Sequence, residues 1–461
     1  MRIRSAVFDD FPPFQPDSKI EFPGKPEGSN LAEVHFLVGG NGSGKTRLLS
    51  LLCAACGNRT SLGARLPVEA ANANAGRLRA AVVAEADGKL AIWSDQVAYC
   101  GWLKNGSELP GRADMIDGKS NHFATTAGLT SEVAGLGGGG FVGGGFGGAA
   151  SPPEAFPKIR FAMAFSGTSV MNDETVEALK PVSQGKKGEH LVLQSPDPDS
   201  RRAVAQSLVN LKMIAAMDGM QPGRKMSRSA LMVTRLEETI STITGRAFSL
   251  TVSHNLKVSL KVIWGNETPL LMAQVPDGLR AILGWLAAAV ARLNSEFPDD
   301  PDPLSLPVII LIDEPEAHLH PQWQRHVLPA MQRLLPNAQI IAVTHSAFVI
   351  SSVNEGWIHI LRNDENGRIC IEEPVPCGKG DSHLDVVEDI LGVTQWYDPE
   401  TEAELARFRD LRDAVLTGKT DSQQELNSLA SSIASRSEGL SNIMGREMAK
   451  VIRHLQKAST P

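Results

Sequence analysis

The sequence predicts an α/β fold with a parallel core sheet and an antiparallel side sheet, and three observations carry that expectation. Residues 39–46, GGNGSGKT, follow an apolar run at 34–38 and lead into a second one, LLSLLCAAC at 48–56. This is the order of strand, glycine-rich loop and helix that cradles phosphate. LPVIILID at 306–313 and QIIAVTHS at 339–346 are continuous apolar runs with polar residues only at their ends, which is how parallel strands buried on both faces read. A helical stretch at 322–335 lies between them and completes a βαβ unit.

The remaining elements follow in order. Residues 3–8, 20–22 and 34–38 read as three short strands. The helix at 48–56 is apolar nearly all round, as for a helix buried inside a larger fold. Between 80 and 99 apolar and polar residues alternate around Asp87 and Gly88, which predicts a hairpin of the side sheet. GLGGGGFVGGGFGGAA at 135–150 is too glycine-rich to hold a regular element and is expected to be a mobile loop. IRFAMAF at 159–165 reads as a strand. Periodic apolar positions from 201 to 244 describe two helices joined by MQPGRK. Strands at 248–253 and 256–264 precede a helix at 278–293, and WIHILRNDENGRICIEE forms a hairpin turned at Asn366 and Gly367. Residues 384–456 are polar and helix-forming. The expected organisation is a head at 1–375, with a helical insert at about 178–246, and a C-terminal helical region at 376–461.

Composition bounds the function. The 461 residues, 42% apolar and 21% charged, describe a globular chain, and no apolar run reaches the roughly 18 to 20 residues that span a bilayer. The N-terminus lacks the features of a secretory signal. Five cysteines in so long a chain suit a reducing compartment, so a cytoplasmic address and no membrane association are expected. A net charge of −7 argues against a whole-protein basic footprint for nucleic acid.

The chemistry concentrates in two motifs. In GGNGSGKT the backbone N–H groups of Gly39, Gly40, Asn41, Gly42, Ser43 and Gly44 can form a nest around phosphate oxygens, reinforced by the positive end of the following helix dipole. Lys45 is expected to reach the β- and γ-phosphates, and Thr46 to ligate Mg²⁺. In VIILIDEPE, Asp313 ends a sheet strand and is expected beside Thr46 as the second Mg²⁺ ligand. Glu314 is placed to polarise an attacking water as general base. Asp313 and Glu314 taken alone could be a mere surface terminus. The pairing with the glycine-rich loop gives them weight.

GGNGSGKT, IDEPEAHLHP (312–321) and AVTHSAFVI (342–350), in that order, resemble the ABC-type ATPase heads of the SMC and RecF-like class, most closely the compact ATPases related to the overcoming-lysogenization-defect proteins. The resemblance spans about residues 1–375. It implies a P-loop NTPase with an ABC-type ATPase head, ATP and Mg²⁺ as ligands, and head-to-head pairing of two copies, or a higher homo-oligomer, through the ATP sites. It implies that His345 contacts the γ-phosphate as a switch and that residues 317–320 form the D-loop across that interface. The family's signature, serine, any residue, glycine, falls on Pro276, Asp277 and Gly278. Proline therefore stands where the serine hydroxyl would meet the γ-phosphate, leaving the Gly278 N–H and Arg280 to address it; a plain core helix start is the alternative. Gln96 is the only candidate for the Q-loop. The resemblance extends to the ATPase subunits of two-gene antiphage systems, the PtuA type of Septu and the AriA type of PARIS. Residues 376–461 show no nuclease pattern, so the effector nuclease is expected to be a separate polypeptide.

Other features have plainer readings. His318 and His320 could chelate a metal, but interface packing fits them better without further ligands nearby. Cys53 and Cys56 lie on an apolar helix, where cysteine acts as a small hydrophobe. Lys186, Lys187, Arg201, Arg202, Arg224, Lys225 and Arg228 could face DNA or simply be solvated, with Asp197, Asp199 and Asp218 diluting their charge. The rival functions are thus a RecF-like DNA-binding repair ATPase and a scaffold that binds ATP without hydrolysing it.

Overall fold

The computed structural model describes residues 2–8, 11–16, 18–26, 28–56, 80–86, 89–94, 100–102, 162–167, 170–174, 176–177, 198–220, 226–253, 258–265, 268–378, 380, 382–393, 395–417 and 422–458. In chain order the elements are β1 (Arg2–Phe8), β2 (Ser18–Glu21), β3 (Glu33–Gly39), α1 (Lys45–Ala55), β4 (Ala80–Ala86), β5 (Lys89–Ser94), β6 (Cys100–Trp102), β7 (Ala162–Ser166), α2 (Pro198–Gly219), α3 (Arg228–Thr244), β8 (Phe248–Ser253), β9 (Ser259–Trp264) and α4 (Asp277–Glu296). There follow β10 (Ile309–Asp313), α5 (Pro321–Leu334), β11 (Gln339–Val343), α6 (Ala347–Ile350), β12 (Trp357–Asn363), β13 (Ile369–Ile371) and β14 (Val375–Pro376). The chain divides into two units, Met1–Val386 and Val387–Pro461. The glycine-rich stretch 135–150, Gln96, the turn at Asp87 and Gly88, and Lys186, Lys187, Asp197, Arg224 and Lys225 lie outside the described residues.

The continuous apolar runs became a parallel sheet for the reason they suggested: both faces are covered. Its strand order is β13-β12-β3-β11-β10-β7. The pairs β12/β3, β3/β11, β11/β10 and β10/β7 are all parallel, whereas β13 and β14 run antiparallel to β12. Because neighbours run the same way, the carboxyl ends of β3, β11, β10 and β7 emerge along one edge, where open parallel sheets bind ligands. A second sheet, β2-β1-β4-β5-β6, is antiparallel throughout. It is the expected side sheet, and it recruits β1 and β2 from the N-terminus. Strands β8 and β9 form a separate antiparallel pair.

Helix α1 packs on β3, β10 and β11, and its Leu48, Leu49, Leu51 and Leu52 share one core with Ile3, Phe8 and Val82 of the side sheet and Leu311 and Ile341 of the parallel sheet. That explains why LLSLLCAAC has no polar face. The two sheets are also joined by a buried polar cluster. The Gln339 amide donates to the Ile3 carbonyl (2.9 Å) and to Glu33 Oε1 (2.8 Å), and its own oxygen accepts from the Ile3 N–H (2.6 Å). His35 lies 2.6 Å from Glu33 and 3.0 Å from His359.

On the other face, α2 and α3 pack on α4, and α3 also packs on α5. Helix α3 is built to do so: Met232, Val233, Leu236, Ile240 and Ile243 are buried on one stripe. The Ser227 hydroxyl caps its start, and Gly245, in a left-handed conformation at φ 68°, ends it. The Val387–Pro461 unit contains α7 (Pro399–Leu416), α8 (Gln423–Ala434) and α9 (Glu438–Ala458), closed around Leu405, Phe408, Leu426, Ile433, Leu440 and Met444. Among the described residues no helix is long and apolar enough to cross a membrane.

Candidate active site

The loop after β3 turns through positive φ at Gly42 (80°) and Gly44 (73°), conformations that cost other residues roughly 1–2 kcal/mol. A β-carbon at Gly39 would lie 2.2 Å from the Leu361 carbonyl oxygen of β12, and one at Gly44 would lie 2.6 Å from Ile369 Cδ1. The neighbouring strand and hairpin therefore fix the curve of this loop. Phe14 supports it from below, stacked on Phe8 at 4.4 Å and in reach of any side chain at Gly44. Lys45 opens α1 and is buried, donating from Nζ to the carbonyls of Gly39 and Gly40 (2.8 Å each) and to Ser43 Oγ (3.2 Å). Burial lowers its pKa, and the negative charges of Asp313 and Glu314 oppose that shift. Both carboxylates are thus within electrostatic reach of the loop lysine, although some 270 residues separate them in sequence.

Asp313 is the last residue of β10. Glu314 leaves the strand with φ 55° while its N–H donates to the Val343 carbonyl of β11 (2.9 Å). The left-handed turn projects Glu314 away from the strand line, and its side chain is exposed. On the far side, the Gly167 N–H donates to the Asp313 carbonyl (2.7 Å). A β-carbon at Gly167 would fall 1.7 Å from the Glu314 carbonyl oxygen, so only glycine permits this approach. Asp313 and Glu314 are held between β11 and the end of β7.

His345 follows β11 and is exposed. Burial among its neighbours and then the positive charge of Lys45 lower its pKa, against the pull of Glu314. Lys45, Glu314 and His345 therefore share one field. Thr46 in the first turn of α1 and Asp313 supply hydroxyl and carboxylate oxygens, the hard donors that suit Mg²⁺.

Glu316 is a functional candidate that the motif did not single out. Its Oε1 accepts from the His345 N–H (2.8 Å) and its Oε2 from the Thr344 hydroxyl (2.8 Å). Burial raises its pKa, and these two bonds oppose the rise. The signal was present in the sequence as the second carboxylate of DEPE, but nothing local said which carboxylate faces the lysine.

Gly278 is buried, and a β-carbon there would lie 2.7 Å from the His318 carbonyl and 3.3 Å from Trp323. Its glycine thus serves close packing of α4 against the 317–320 turn. Pro276 occupies the N-cap of α4 without a side-chain cap bond. Arg280 is engaged within the chain, donating to the Met171 carbonyl (2.9 Å), Asp277 (2.9 Å) and Asn172. His320 caps α5 through Nδ1, which accepts from the Gln322 N–H (3.3 Å), and no cluster able to hold a metal by three or more His, Cys, Asp or Glu is found among the described residues. Cys56 is buried, with its thiol pushed up to about 12, which leaves it inert. In the basic group, Arg228 donates to Asn294 Oδ1 (2.6 Å) and the Phe297 carbonyl (2.9 Å), Arg201 pairs with Glu174 and Arg202 with Asp199. These three arginines hold the fold's own carbonyls and carboxylates.

Known proteins resemble parts of this chain. A family model described as "AAA domain, putative AbiEii toxin, Type IV TA system" matches residues 186–351. The "Retron Ec83 probable ATPase" of Escherichia coli is 34% identical over 22% of this chain and 18% of its own length. The "Retron Vc95 probable ATPase" of Vibrio cholerae serotype O1 biovar El Tor is 28% identical over 32% of this chain and 29% of its own. "Septu protein PtuA" of Bacillus thuringiensis is 34% identical over 20% of this chain and 24% of its own. The matched segments thus span less than a third of each of these relatives. Among solved structures, the SMC head domain from Thermotoga maritima aligns with 82% of this chain and 99% of its own at 13% identity and a TM-score of 0.38.

Proposed function

We propose that this chain, whose P-loop α/β head resembles the ABC-type AAA ATPases of antiphage defence, binds and hydrolyses ATP. The observation that carries the reading is the shared carboxyl edge of β3, β11 and β10: the GGNGSGKT loop, His345 and the Asp313–Glu314 turn lie along it, and Lys45 feels both carboxylates. The loop N–H groups and the α1 dipole receive phosphate oxygens. Lys45, now on the loop carbonyls, is placed to turn its ammonium to the β- and γ-phosphates. Thr46 and Asp313 fit Mg²⁺ and would hold it; the ion, when bound, supplies charge neutralisation at the phosphate oxygens. Glu314, exposed at its turn, orients the attacking water and takes its proton. His345 meets the γ-phosphate. Catalysis of this kind is positioning and charge compensation.

We further propose that two copies pair head to head over ATP, and that the ATP cycle governs a separate effector nuclease in defence, in the cytoplasm. The resemblance to defence ATPases supports this step. Two of the described arginines invoked by the repair reading have partners within the fold, Arg201 on Glu174 and Arg228 on Asn294 and Phe297, which favours the switch reading over it; Arg202 pairs with Asp199 at the surface.

Turnover of Mg·ATP by the purified chain tests the reading, together with its mass with and without nucleotide. Turnover is expected in the unmodified chain and in neither Glu314→Gln nor Lys45→Ala. Glu314→Gln should retain ATP and accumulate the paired form, while Lys45→Ala should lose binding. ATP bound without turnover by the unmodified chain would refute hydrolysis and favour the scaffold, with Pro276 as the reason.

A further inference from the structure

The geometry points to Glu316 as a positioning residue that locks the γ-phosphate sensor His345 to the turn following the base, so that the two respond to nucleotide as one body. We infer this on top of the hydrolytic reading above, from how β10 and β11 leave the sheet. Backbone pairing between them reaches Asp313 and Val343 and ends with the Glu314 N–H on the Val343 carbonyl. Beyond that point one strand continues into the 315–320 turn and the other into 344–346, with no ladder to keep them in register.

Two side-chain ties replace it. The Glu316 carboxylate spans consecutive residues of the second loop, one oxygen on the His345 N–H and the other on the Thr344 hydroxyl, both at 2.8 Å. On the far side of His345, the Ser346 hydroxyl donates to Gln324 Oε1 (2.6 Å), and the Gln324 amide donates to the Leu319 carbonyl (2.9 Å). The Ser346 N–H closes the circuit on Thr344 Oγ1 (3.0 Å). His345 is thus clamped from both neighbours to the segment 316–319. The same segment abuts the start of α4, since the His318 carbonyl lies against Gly278.

Chemistry sets Glu316 apart from Glu314. Glu314 projects from a left-handed turn into solvent, and its charge reaches Lys45. Glu316 is largely enclosed, and each of its oxygens accepts a bond. It touches no reacting atom on this geometry. A carboxylate is the one side chain of this length with two acceptors and no donor, one for the His345 N–H and one for the Thr344 hydroxyl as it is turned here. Glutamine keeps the shape but turns a donor toward one of them.

The test uses the full chain with Glu316→Gln, Thr344→Val and Thr344→Ser. Misplacement of the sensor by a fraction of an ångström should lower kcat by roughly 10- to 100-fold in Glu316→Gln, while KM for ATP and the midpoint of unfolding stay near those of the unmodified chain. Thr344→Val should lower kcat less, and Thr344→Ser, which restores the hydroxyl, should recover it. Unchanged kcat in Glu316→Gln, or a parallel loss of kcat, ATP affinity and stability, would overturn the assignment. Hydrogen exchange on addition of Mg·ATP gives a readout independent of turnover. Segments 316–320 and 344–346 should gain protection together in the unmodified chain and separately in Glu316→Gln. Protection that stays joined in the variant overturns the lock, and a chain without turnover whose segments still uncouple in the variant refutes the hydrolytic reading alone.

Discussion

Replacing Gly167 by alanine probes the site without altering any residue that would meet nucleotide. The added carbon would lie 1.7 Å from the Glu314 carbonyl oxygen, 2.7 Å from the Glu314 carbonyl carbon and 3.1 Å from Ala317 Cβ, whereas ordinary contact begins at 3.4 Å. The obstacle is backbone, so it cannot swing aside as the end of a long side chain would; the carbonyl must retreat by about 1.7 Å. It is not free to retreat alone. It accepts from the Ala317 N–H at 3.0 Å, and the Glu314 N–H is bonded to Val343 at 2.9 Å, so the peptide must rotate and carry the Glu314 side chain with it. Overpacking of this kind costs roughly 1–3 kcal/mol. A misplacement near 1 Å at a catalytic group can cost about 100-fold in rate. Gly167→Ala should therefore lower the unfolding free energy by roughly 1–3 kcal/mol and kcat by about two orders of magnitude, with ATP affinity, set by the 39–46 loop, preserved to within a few-fold. Steady-state turnover, nucleotide titration and urea unfolding measure the three quantities. A variant that turns over at the original rate would refute the claim that the Asp313–Glu314 turn is rigidly seated between β7 and β11 and that the reaction depends on its seat.

Other substitutions test neighbouring links. Gly44→Ala forces a side chain into positive φ and within 2.6 Å of Ile369 Cδ1, so ATP affinity should fall steeply; unaltered binding of a fluorescent ATP analogue would exclude the loop as the phosphate cradle. The His35 and His359 pair is buried at the junction of the two sheets, and burial lowers both pKa values, that of His359 well below the usual range. The folded chain then holds fewer protons on them than the unfolded chain once pH falls below about 6.5. Unfolding free energy should accordingly drop on acidification from pH 7 to 5, by up to about 1.4 kcal/mol per pH unit for each histidine. Glu316, with a raised pKa, contributes in the opposite sense at the acid end, so the informative quantity is the difference between the unmodified chain and His359→Leu. Equal slopes would mean that His359 takes up protons alike in the folded and unfolded chains, and would refute the lowered pKa.

How much of this could be read from the sequence depended on whether a signal was local. Strands β3, β10 and β11 declared themselves because burial on both faces leaves no polar alternation, and α1 did so because sheets on two sides leave it no wet face. Local chemistry likewise marked Lys45, Thr46, Asp313 and Glu314. What stayed hidden was set by contacts between distant segments. Gly278 reads as the glycine of an anion-binding helix start, and only the fold shows that it also makes room for the His318 carbonyl. Nothing local marks Gly167 either, yet a side chain there would meet the Glu314 carbonyl. The carboxylates of DEPE are indistinguishable until the left-handed turn at Glu314 sends one outward and leaves the other beneath His345.

The order of strands is the deepest of these non-local facts, and it gives the candidate chemistry its layout. Strand β11 lies between β3 and β10, although it follows β10 in the chain. Had β10 paired directly with β3, the loop lysine and the acidic turn would be adjacent and His345 would stand outside them. With β11 interposed, the loop that carries His345 emerges between the phosphate loop and Glu314, and the charges of both are felt at its imidazole. A residue so placed can register the presence of a terminal phosphate only if its backbone is fixed relative to both sides. The P-loop side is fixed by the β3 to β11 ladder, continued by the Thr344 N–H on the Leu37 carbonyl at 3.4 Å. The other side has no ladder beyond Glu314, and there the Glu316 carboxylate takes over the function of the missing backbone bonds.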